Sequence, residues 1–135
     1  MTVPPLPPSW LDTKSQRTEV VYGTDYTTSI ILNFLYNAQA EMDICADSTW
    51  PSVAMGVDVF KKAHVNIMNK RINSRYLTEI TKDNLSYCKE AMKIGELRHL
   101  DGIKGNFAVS EKEYIASSHD RPPRYEILLA KQKAT

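Results

Sequence analysis

The sequence has little cysteine and no surplus of charge of either sign. Its 135 residues include two cysteines, and neither Cys45 nor Cys88 lies in a CxxC or Cys/His spacing, so we expect reduced thiols and no zinc site. Lysine and arginine number 17 and the acidic residues 16, which gives a formal net charge of +1. A near-neutral chain has no global field that attracts nucleic acid or anionic lipid. Neither is an expected partner.

Long apolar runs and familiar catalytic motifs are also missing. No apolar run approaches the roughly 20 residues of a membrane span, and the start lacks the basic residues and apolar core of a signal peptide. We expect a soluble, cytoplasmic protein with no membrane partner. GxGxxG, GxxxxGKS, GxSxG and HExxH are all absent, which removes the usual signatures of nucleotide, serine-hydrolase and zinc-protease sites. We expect no cofactor and no metal.

The composition that is present fits one ordinary domain. Apolar residues make up 42% and charged residues 24% of the chain, as in average globular proteins. Four of the seven prolines fall in the first eight residues, so residues 1–18 are expected to form a flexible proline-rich arm. Residues 19–118 are expected to form the domain. Residues 119–135 break the pattern, and we expect a divergent or truncated tail that is either a short helix or without order.

Short β-rich runs alternate with helical patterns along the domain. A first strand at 19–22 precedes a helix marked by apolar residues at three- and four-residue spacing: Ile30, Ile31, Phe34, Leu35 and Ala38. There follow MDICAD at 42–47, a helix over about 50–70, RYLTEI at 75–80, a helix over 85–94, and the segments ELRHLDGI, GNFAVS and EYIASS. This order predicts an α/β three-layer sandwich with a mainly parallel sheet covered on both faces. The last two segments predict a C-terminal antiparallel hairpin.

Polar residues follow the predicted strands, and in open α/β sheets ligands bind at the carboxyl ends of the strands. The candidate ligand-binding residues, here called the strand-end cluster, are Asp47, Trp50, Glu79, Thr81, Asn84, His99, Asp101, Lys104 and Asn106. Carboxylates, an imidazole, an ammonium group and amides could hold a polar ligand or perform acid–base chemistry. Gly102 and Gly105 could present backbone amides to an anion. The alternative is that several of these residues only cap helices or order turns.

A second cluster of polar residues, all of them basic, is expected to lie on a solvated surface. The basic residues Lys61, Lys62, Lys70, Arg71 and Arg75 gather around one predicted helix end. With Tyr76 beside them they could contact nucleic acid, but the chain has no recognisable binding motif and no basic excess. His64 follows Lys61 and Lys62 closely, and it too is expected on a solvated helix face.

Two long segments carry a resemblance to a known family. DICADSTWPSVAMGVDVFKKA and RYLTEITKDNLSYCKEAMKIGELRHLDGIKGNFAVSEKEYIA resemble the N-terminal sensor-type domain of archaeal multi-sensor histidine kinases of the ammonia-oxidising lineage. The resemblance covers about residues 18–118, and its most specific pieces are TEITKDNLSYCKE and ELRHLDGIKGNFAVSE. It implies an input module of a two-component signalling system, with a histidine kinase or another signalling protein as a possible partner. The chain has no room for a kinase core.

More distantly, the strands and the closing hairpin resemble one half of the phospholipase D fold. Enzymes of that family use a paired His-x-Lys-x4-Asp motif, whose histidine is the nucleophile. Here His99 is followed by Leu100 and Asp101, Lys104 comes five residues after His99, and Ser110 takes an acid-like place. The resemblance therefore implies the fold without the catalysis, and no catalytic residue is assigned.

These observations predict a non-catalytic sensor domain that binds a small polar or anionic ligand or a partner protein. The alternatives are a phospholipase D-like phosphodiesterase or nuclease that acts as a dimer, and a protein-interaction module. We also expect at most a weak homodimer. The apolar run Ile127, Leu128 and Leu129 is expected to cover a sheet edge within its own chain or, less favourably, to pair with a second chain.

Overall fold

A seven-stranded sheet organises the computed structural model, which describes residues 18–22, 24–121 and 124–131, with side chains from 25 to 117. The proline-rich arm predicted for residues 1–18 lies, except for Thr18, outside the described residues. The elements of the described ranges are β1 (Thr18–Tyr22), α1 (Thr24–Asn37), β2 (Glu41–Ala46), α2 (Trp50–Gly56), α3 (Asp58–Asn69), β3 (Asn73–Thr78), α4 (Leu85–Ala91), β4 (Glu96–His99), β5 (Asn106–Ser110), β6 (Glu113–Arg121) and β7 (Arg124–Lys131).

The sheet is mixed, in the order β1-β7-β6-β5-β2-β3-β4. Two pairs are parallel, β2 with β3 and β3 with β4. The other four are antiparallel: β1 with β7, β7 with β6, β6 with β5, and β5 with β2. The prediction of a mainly parallel sheet is therefore wrong, while the hairpin of β5 and β6 is confirmed. Connection length accounts for two of these pairs, because β5–β6 and β6–β7 are joined by short links that allow antiparallel pairing, whereas a parallel neighbour needs a crossover.

The four helices of the described ranges lie against one face of this sheet. Their buried residues, among them Phe34, Ala63 and Ala91, join one core with the inward positions of β2 and β3. Strands β2, β3 and β4 are added in one direction along the sheet, and right-handed crossovers then place every connecting helix on the same side. The second helical layer of the predicted sandwich is not found among residues 24–121.

The opposite face, here called the outer face, carries the alternate side chains Asp43, Cys45, Arg75, Leu77, Glu96, Arg98, Phe107 and Val109. Phe107 is 54% exposed and Val109 39% exposed. Ion pairs join Arg75 to Asp43 at 2.6 Å and Arg98 to Glu96 at 2.7 Å. Side chains this exposed show that no described element covers this face.

The helix predicted over 50–70 is two helices. α2 ends at Gly56, Val57 is extended with φ −99° and ψ 121°, and α3 begins at Asp58. Glycine is a weak helix former, and its missing side chain also lets α4 approach, because a Cβ at Gly56 would lie 3.1 Å from Cε1 of Tyr87. The break allows α2 to pack on α4 while α3 packs on α1.

The segment expected to be a divergent tail contains sheet structure. β6 continues past 118 to Arg121, and β7 lies between β1 and β6, with Ile127 opposite both Val21 and Ser117. Neither a helix nor an unordered segment is found at 124–131. A strand here satisfies backbone groups that two open sheet edges would otherwise leave unpaired.

Two charged side chains hold the turns at the amino end of β2. The carboxylate of Glu111 accepts backbone N–H bonds from Gln39, Ala40 and Glu41 at 2.8–3.2 Å. Lys70 Nζ donates to the carbonyl oxygens of Tyr36 and Ala38 and so caps the last turn of α1. The turn between β5 and β6 is thereby fastened to the connection between α1 and β2.

None of the helices in the described ranges has the length and apolar character that crossing a bilayer requires.

Candidate functional site

The carboxyl ends of β2, β3 and β4 meet the start of β5 at one edge of the sheet. Asp47 follows β2, Glu79 follows β3, His99 ends β4 and Asn106 begins β5. The parallel pairing of β2, β3 and β4 brings their ends together, and antiparallel β5 returns to the same edge. Hydrogen bonds link seven residues of the strand-end cluster to one another or to the loops between them: Asp47, Glu79, Thr81, Asn84, His99, Asp101 and Asn106.

Asp47 and Asn106 form a bridge between the β2 loop and β5. The backbone N–H of Asp47 donates to Asn106 Oδ1 at 2.9 Å, and Asn106 Nδ2 donates to Asp47 Oδ2 at 3.3 Å. The other carboxylate oxygen accepts bonds from the backbone N–H and hydroxyl of Thr49 at 2.9 and 2.5 Å. Both Asp47 oxygens are thus engaged within the chain.

Asn84 joins the loops after β2 and β3. It is buried, and its Nδ2 donates to the carbonyl oxygens of Ser48 at 2.9 Å and Glu79 at 2.8 Å. Its Oδ1 accepts from the N–H of Thr81 at 2.8 Å, and the Thr81 hydroxyl accepts from the N–H of Asn84 at 3.2 Å. Asn84 stands at the start of α4 as a capping residue would, but its side chain holds two loops together.

His99 is committed at both ring nitrogens. Nδ1 accepts a bond from the backbone N–H of Ile80 at 2.9 Å, so the proton lies on Nε2, which donates to Asp101 Oδ1 at 2.6 Å. In the same loop Glu79 Oε1 accepts the N–H of Gly102 at 2.9 Å, and Gly102 adopts a positive φ of 73°. An imidazole bonded in this way has no nitrogen free to attack a substrate or to take a proton from it.

The spacing of the phospholipase D motif is not matched by His99, Lys104 and Ser110, but it is matched by another set of residues. Lys104, Asn106 and Glu111 stand at the spacing of the three residues of His-x-Lys-x4-Asp, in the histidine, lysine and aspartate positions respectively. Asn106 bridges to Asp47, whereas Glu111 binds backbone at the opposite end of β5. Lys104 is exposed, without an ion pair to any residue between 25 and 117. Neither the nucleophilic histidine nor the phosphate-binding lysine of the motif is present at its position.

A cavity of about 90 Å³ lies beside the Asp47–Asn106 bridge, between α1 and the sheet. Its lining residues are Ile31, Phe34, Leu35, Ile44, Ala46, Trp50, His64, Asn106, Phe107, Ala108, Ile115, Ala116 and Ser117. Among them, only Trp50 and Asn106 belong to the strand-end cluster predicted from the sequence. Sequence reasoning misses the others because the cavity is made of core positions, which carry no polar motif.

His64 lies in this core, so its expected place on a solvated face is wrong. It is 2% exposed, with its ring 5.9 Å from that of Trp50 and 5.7 Å from that of Tyr76. Helical spacing is the signal that could have found it, because His64 lies four residues after Phe60 and three before Ile67, on the apolar stripe of α3.

Burial keeps His64 and Tyr76 uncharged. Loss of solvation lowers the pKa of His64 to about 4 and raises the pKa of Tyr76 to about 12. His64 Nδ1 and the Tyr76 hydroxyl share a hydrogen bond of 3.1 Å. Among residues 25–117, no group of three or more His, Cys, Asp or Glu side chains is placed to hold a metal ion.

Comparison with solved structures places this fold beside two proteins of different kinds. Nuc from Salmonella typhimurium, a phospholipase D family member, aligns with a TM-score of 0.66 at 9% identity, over 88% of this chain and 85% of that chain. TrmBL2, an archaeal chromatin protein with a novel mode of DNA binding, aligns with a TM-score of 0.61 at 21% identity, over 93% of this chain and 49% of that chain. This chain therefore spans about half the length of TrmBL2.

The likeness defines the class: a mixed α/β domain with a phospholipase D-like fold. At 9% and 21% identity it shows the fold alone. No family model matches the chain, and no curated protein matches it either. The resemblance to sensor domains of histidine kinases thus stays a prediction.

Proposed function

We propose that this chain is a non-catalytic, phospholipase D-like sensor domain that binds a small molecule at the strand-end edge. The observation that carries the proposal is the closed bonding of His99, whose two ring nitrogens are held by Ile80 and Asp101. The histidine that phospholipase D chemistry would use as its nucleophile is thus occupied by bonds within the chain. Recognition without turnover is the chemistry that such an edge supports.

The signalling role rests on the resemblance of residues 18–118 to sensor domains of histidine kinases. In that setting the domain is cytoplasmic, and its partner is a kinase or another signalling protein. The network of Asn84 and Asp47 connects the loops after β2 and β3 to β5, so a ligand at the edge can change several loops together.

A ligand screen tests the binding function. The full chain is heated with metabolites, anions and nucleotides, and the midpoint of unfolding is compared with that of the free protein. A ligand at 100 times its dissociation constant stabilises by about 2.7 kcal/mol. The shift should shrink in Asn106→Ala, which loses the bridge, and persist in the control Asn69→Ala on the exposed end of α3. A complete absence of stabilising ligands contradicts the proposal.

A hydrolysis assay tests the enzymatic alternative. The full chain is incubated with a chromogenic phosphodiester, and we expect no turnover above that of buffer. Turnover that disappears in His99→Ala would establish a phospholipase D-like enzyme. That enzyme would need His99 to release the N–H of Ile80 or the carboxylate of Asp101.

DNA binding, which is stated for TrmBL2, has weak support in this chain. Most of the predicted basic group is already paired. Lys61 contacts Glu90 at 3.2 Å, Lys62 contacts Asp58 at 3.3 Å, and Arg75 contacts Asp43 at 2.6 Å. Lys70 donates hydrogen bonds to backbone carbonyl oxygens. Basic side chains that already pair with acidic residues of the same surface displace few counterions from DNA, so they add little to the affinity for DNA.

Self-association through the outer face is the second candidate function. This face combines the exposed Phe107 and Val109 with two arginines and two carboxylates. Equal numbers of both charges favour neither a polyanion nor a polycation, and they suit a second copy of the same face. We propose this second copy as the occupant.

Light scattering at several concentrations tests this association. We expect a weak dimer that Val109→Lys abolishes and that the control Val59→Lys, at an exposed position of α3, leaves unchanged. A chain that stays monomeric at every concentration contradicts the proposal. So does a dimer that both variants retain.

A further inference from the structure

The cavity beside the strand-end edge has the chemistry of a mainly apolar binding site with few polar side chains in its lining. No charged side chain lines it, and most of its wall is aliphatic or aromatic, including Ile44, Phe34 and Trp50. An ionic ligand would lose its hydration there without gaining a counter-charge. The cavity therefore disfavours an anionic ligand, which is one of the two ligand classes that the sequence predicts for this edge.

His64 supplies a polar contact. It lines the cavity, is almost fully buried, and uses only Nδ1, in the bond to Tyr76. Its Nε2 has no hydrogen-bond partner among residues 25–117. A neutral imidazole offers one nitrogen as donor and the other as acceptor, so one ring nitrogen remains for a guest molecule. A charged partner would lose its hydration against this apolar wall, so an uncharged partner suits the site better.

The volume limits what can enter. An engineered apolar cavity of about 150 Å³ holds benzene. By the same ratio, about 90 Å³ accommodates three or four heavy atoms. Anything longer must leave past Asn106 and Ser117, which line the cavity at neighbouring positions of β5 and β6.

We propose that this cavity binds the short aliphatic end of a small uncharged molecule, with a hydroxyl or carbonyl group hydrogen-bonded to His64. The ligand class is that of short-chain alcohols and ketones, alone or as the end of a longer neutral compound. This inference rests on the proposed sensor function and names the ligand class for it. The principal residues of this additional site are His64 and Trp50.

The test titrates the full chain with 1-propanol and with propane, followed by amide and indole chemical shifts in NMR. We expect saturable shifts at Trp50 and Phe107 with both guests, and tighter binding of the alcohol by about fivefold, as for one hydrogen bond. In His64→Phe the alcohol should lose this preference over the hydrocarbon. Ala108→Leu, which fills the cavity, should abolish both titrations, and Ala108→Val serves the same purpose if the leucine variant does not fold.

Two outcomes overturn the inference. In the first, neither guest gives saturable shifts in the wild type below the alcohol concentration that begins to unfold it. In the second, alcohol binding survives filling of the cavity at Ala108. Inorganic phosphate is titrated in parallel: saturable binding of phosphate at Asn106 and Lys104, without alcohol binding, would leave the proposed sensor function standing with an anionic ligand and remove the apolar site.

Discussion

At the scale of single residues, His64 shows how a titratable side chain can belong to a core. Its lysine neighbours in sequence, Lys61 and Lys62, pair with acidic residues at the surface, but its own helical position faces Tyr76 and Trp50. Local charge suggests a solvated face, whereas the helical spacing to Phe60 and Ile67 favours the buried stripe, and the sequence alone does not decide between these two signals. The same limit explains why the sequence places Trp50 at the site but not in the cavity.

The buried histidine makes stability depend on pH. The pKa of His64 is about 4 in the folded chain, against an ordinary value of 6.5 for histidine, so between these values the unfolded chain binds more protons. The free energy of unfolding should therefore fall as pH drops from about 6.5 towards 4 and level off below it. We expect a loss of about 2 kcal/mol between pH 7.5 and 5, measured by urea unfolding.

The control for this prediction is His64→Gln, which cannot titrate. Its own stability will be lower, but its pH profile over the same range should be flatter by about that amount. Equal slopes for the two proteins would show that His64 is not the group responsible.

Glu111 is a second residue with a testable role. Burial alone would raise the pKa of its carboxyl, but the N–H groups of Ala40, Glu41 and Gln39 outweigh burial and lower it. A lowered pKa contributes stability above the unfolded value of 4.5, which is lost as pH falls through the folded value. Glu111→Gln should cost about 1–2 kcal/mol at pH 7 in urea unfolding, whereas the neighbouring exposed Lys112→Ala should change little.

At the scale of elements, hydrophobic patterning predicts the helix α1, the strands β2 and β3, and the hairpin of β5 and β6. The open outer face is not among its predictions, although β2 and β3 carry the signal. Asp43 and Cys45 alternate with buried residues, as do Arg75 and Leu77, and such alternation is typical of a strand with one solvated face. Because these runs are short and rich in apolar residues, their composition leads to the prediction of strands buried on both faces, although their alternation indicates one solvated face.

The connection from α4 to β4 depends on a close approach that only glycine allows. A Cβ at Gly95 would lie 2.6 Å from both the carbonyl oxygen and Oγ of Ser74. Gly95→Ala should therefore displace β4 and destabilise the domain by about 2–3 kcal/mol. At Gly102, with a φ of 73° and nothing within 4 Å, alanine should cost only about 1 kcal/mol of backbone strain. Thermal unfolding of the two variants checks this order, and a larger loss at Gly102 would contradict it.

At the scale of the whole molecule, the sheet depends on its last described strand. β7 pairs with both β1 and β6, so a chain that ends at Ser118 loses the only described partner of β1. We expect this shortened chain to unfold at lower temperature and to aggregate through exposed strand edges. Circular dichroism and light scattering on both chains provide the measurement. A shortened chain of unchanged stability and monomeric state would show that β7 contributes nothing to the fold.

The mixture of α and β elements and the edge at which the parallel strands end can be predicted from the sequence, whereas the bonding of the side chains at that edge cannot. Strand ends can be located from Asp47, Glu79 and His99, because parallel strands bring their carboxyl ends together. The hydrogen bonds of these side chains depend on the geometry of the loops. In the structure, most of their polar atoms bond to other residues of the loops. The cavity arises from packing between α1 and the sheet, which no local pattern encodes.

The insertion of β7 between β1 and β6 also fixes an order of assembly. Thr18 pairs with Ala130, so the first described strand has no neighbour until nearly the whole described chain has been synthesised. Strands β2 to β5 and the helices between them can close earlier, through contacts of shorter sequence separation. On the ribosome, we therefore expect residues 18–22 to remain unpaired until β7 is made, and the pairing of β1 with β7 to be a late, slow step of folding.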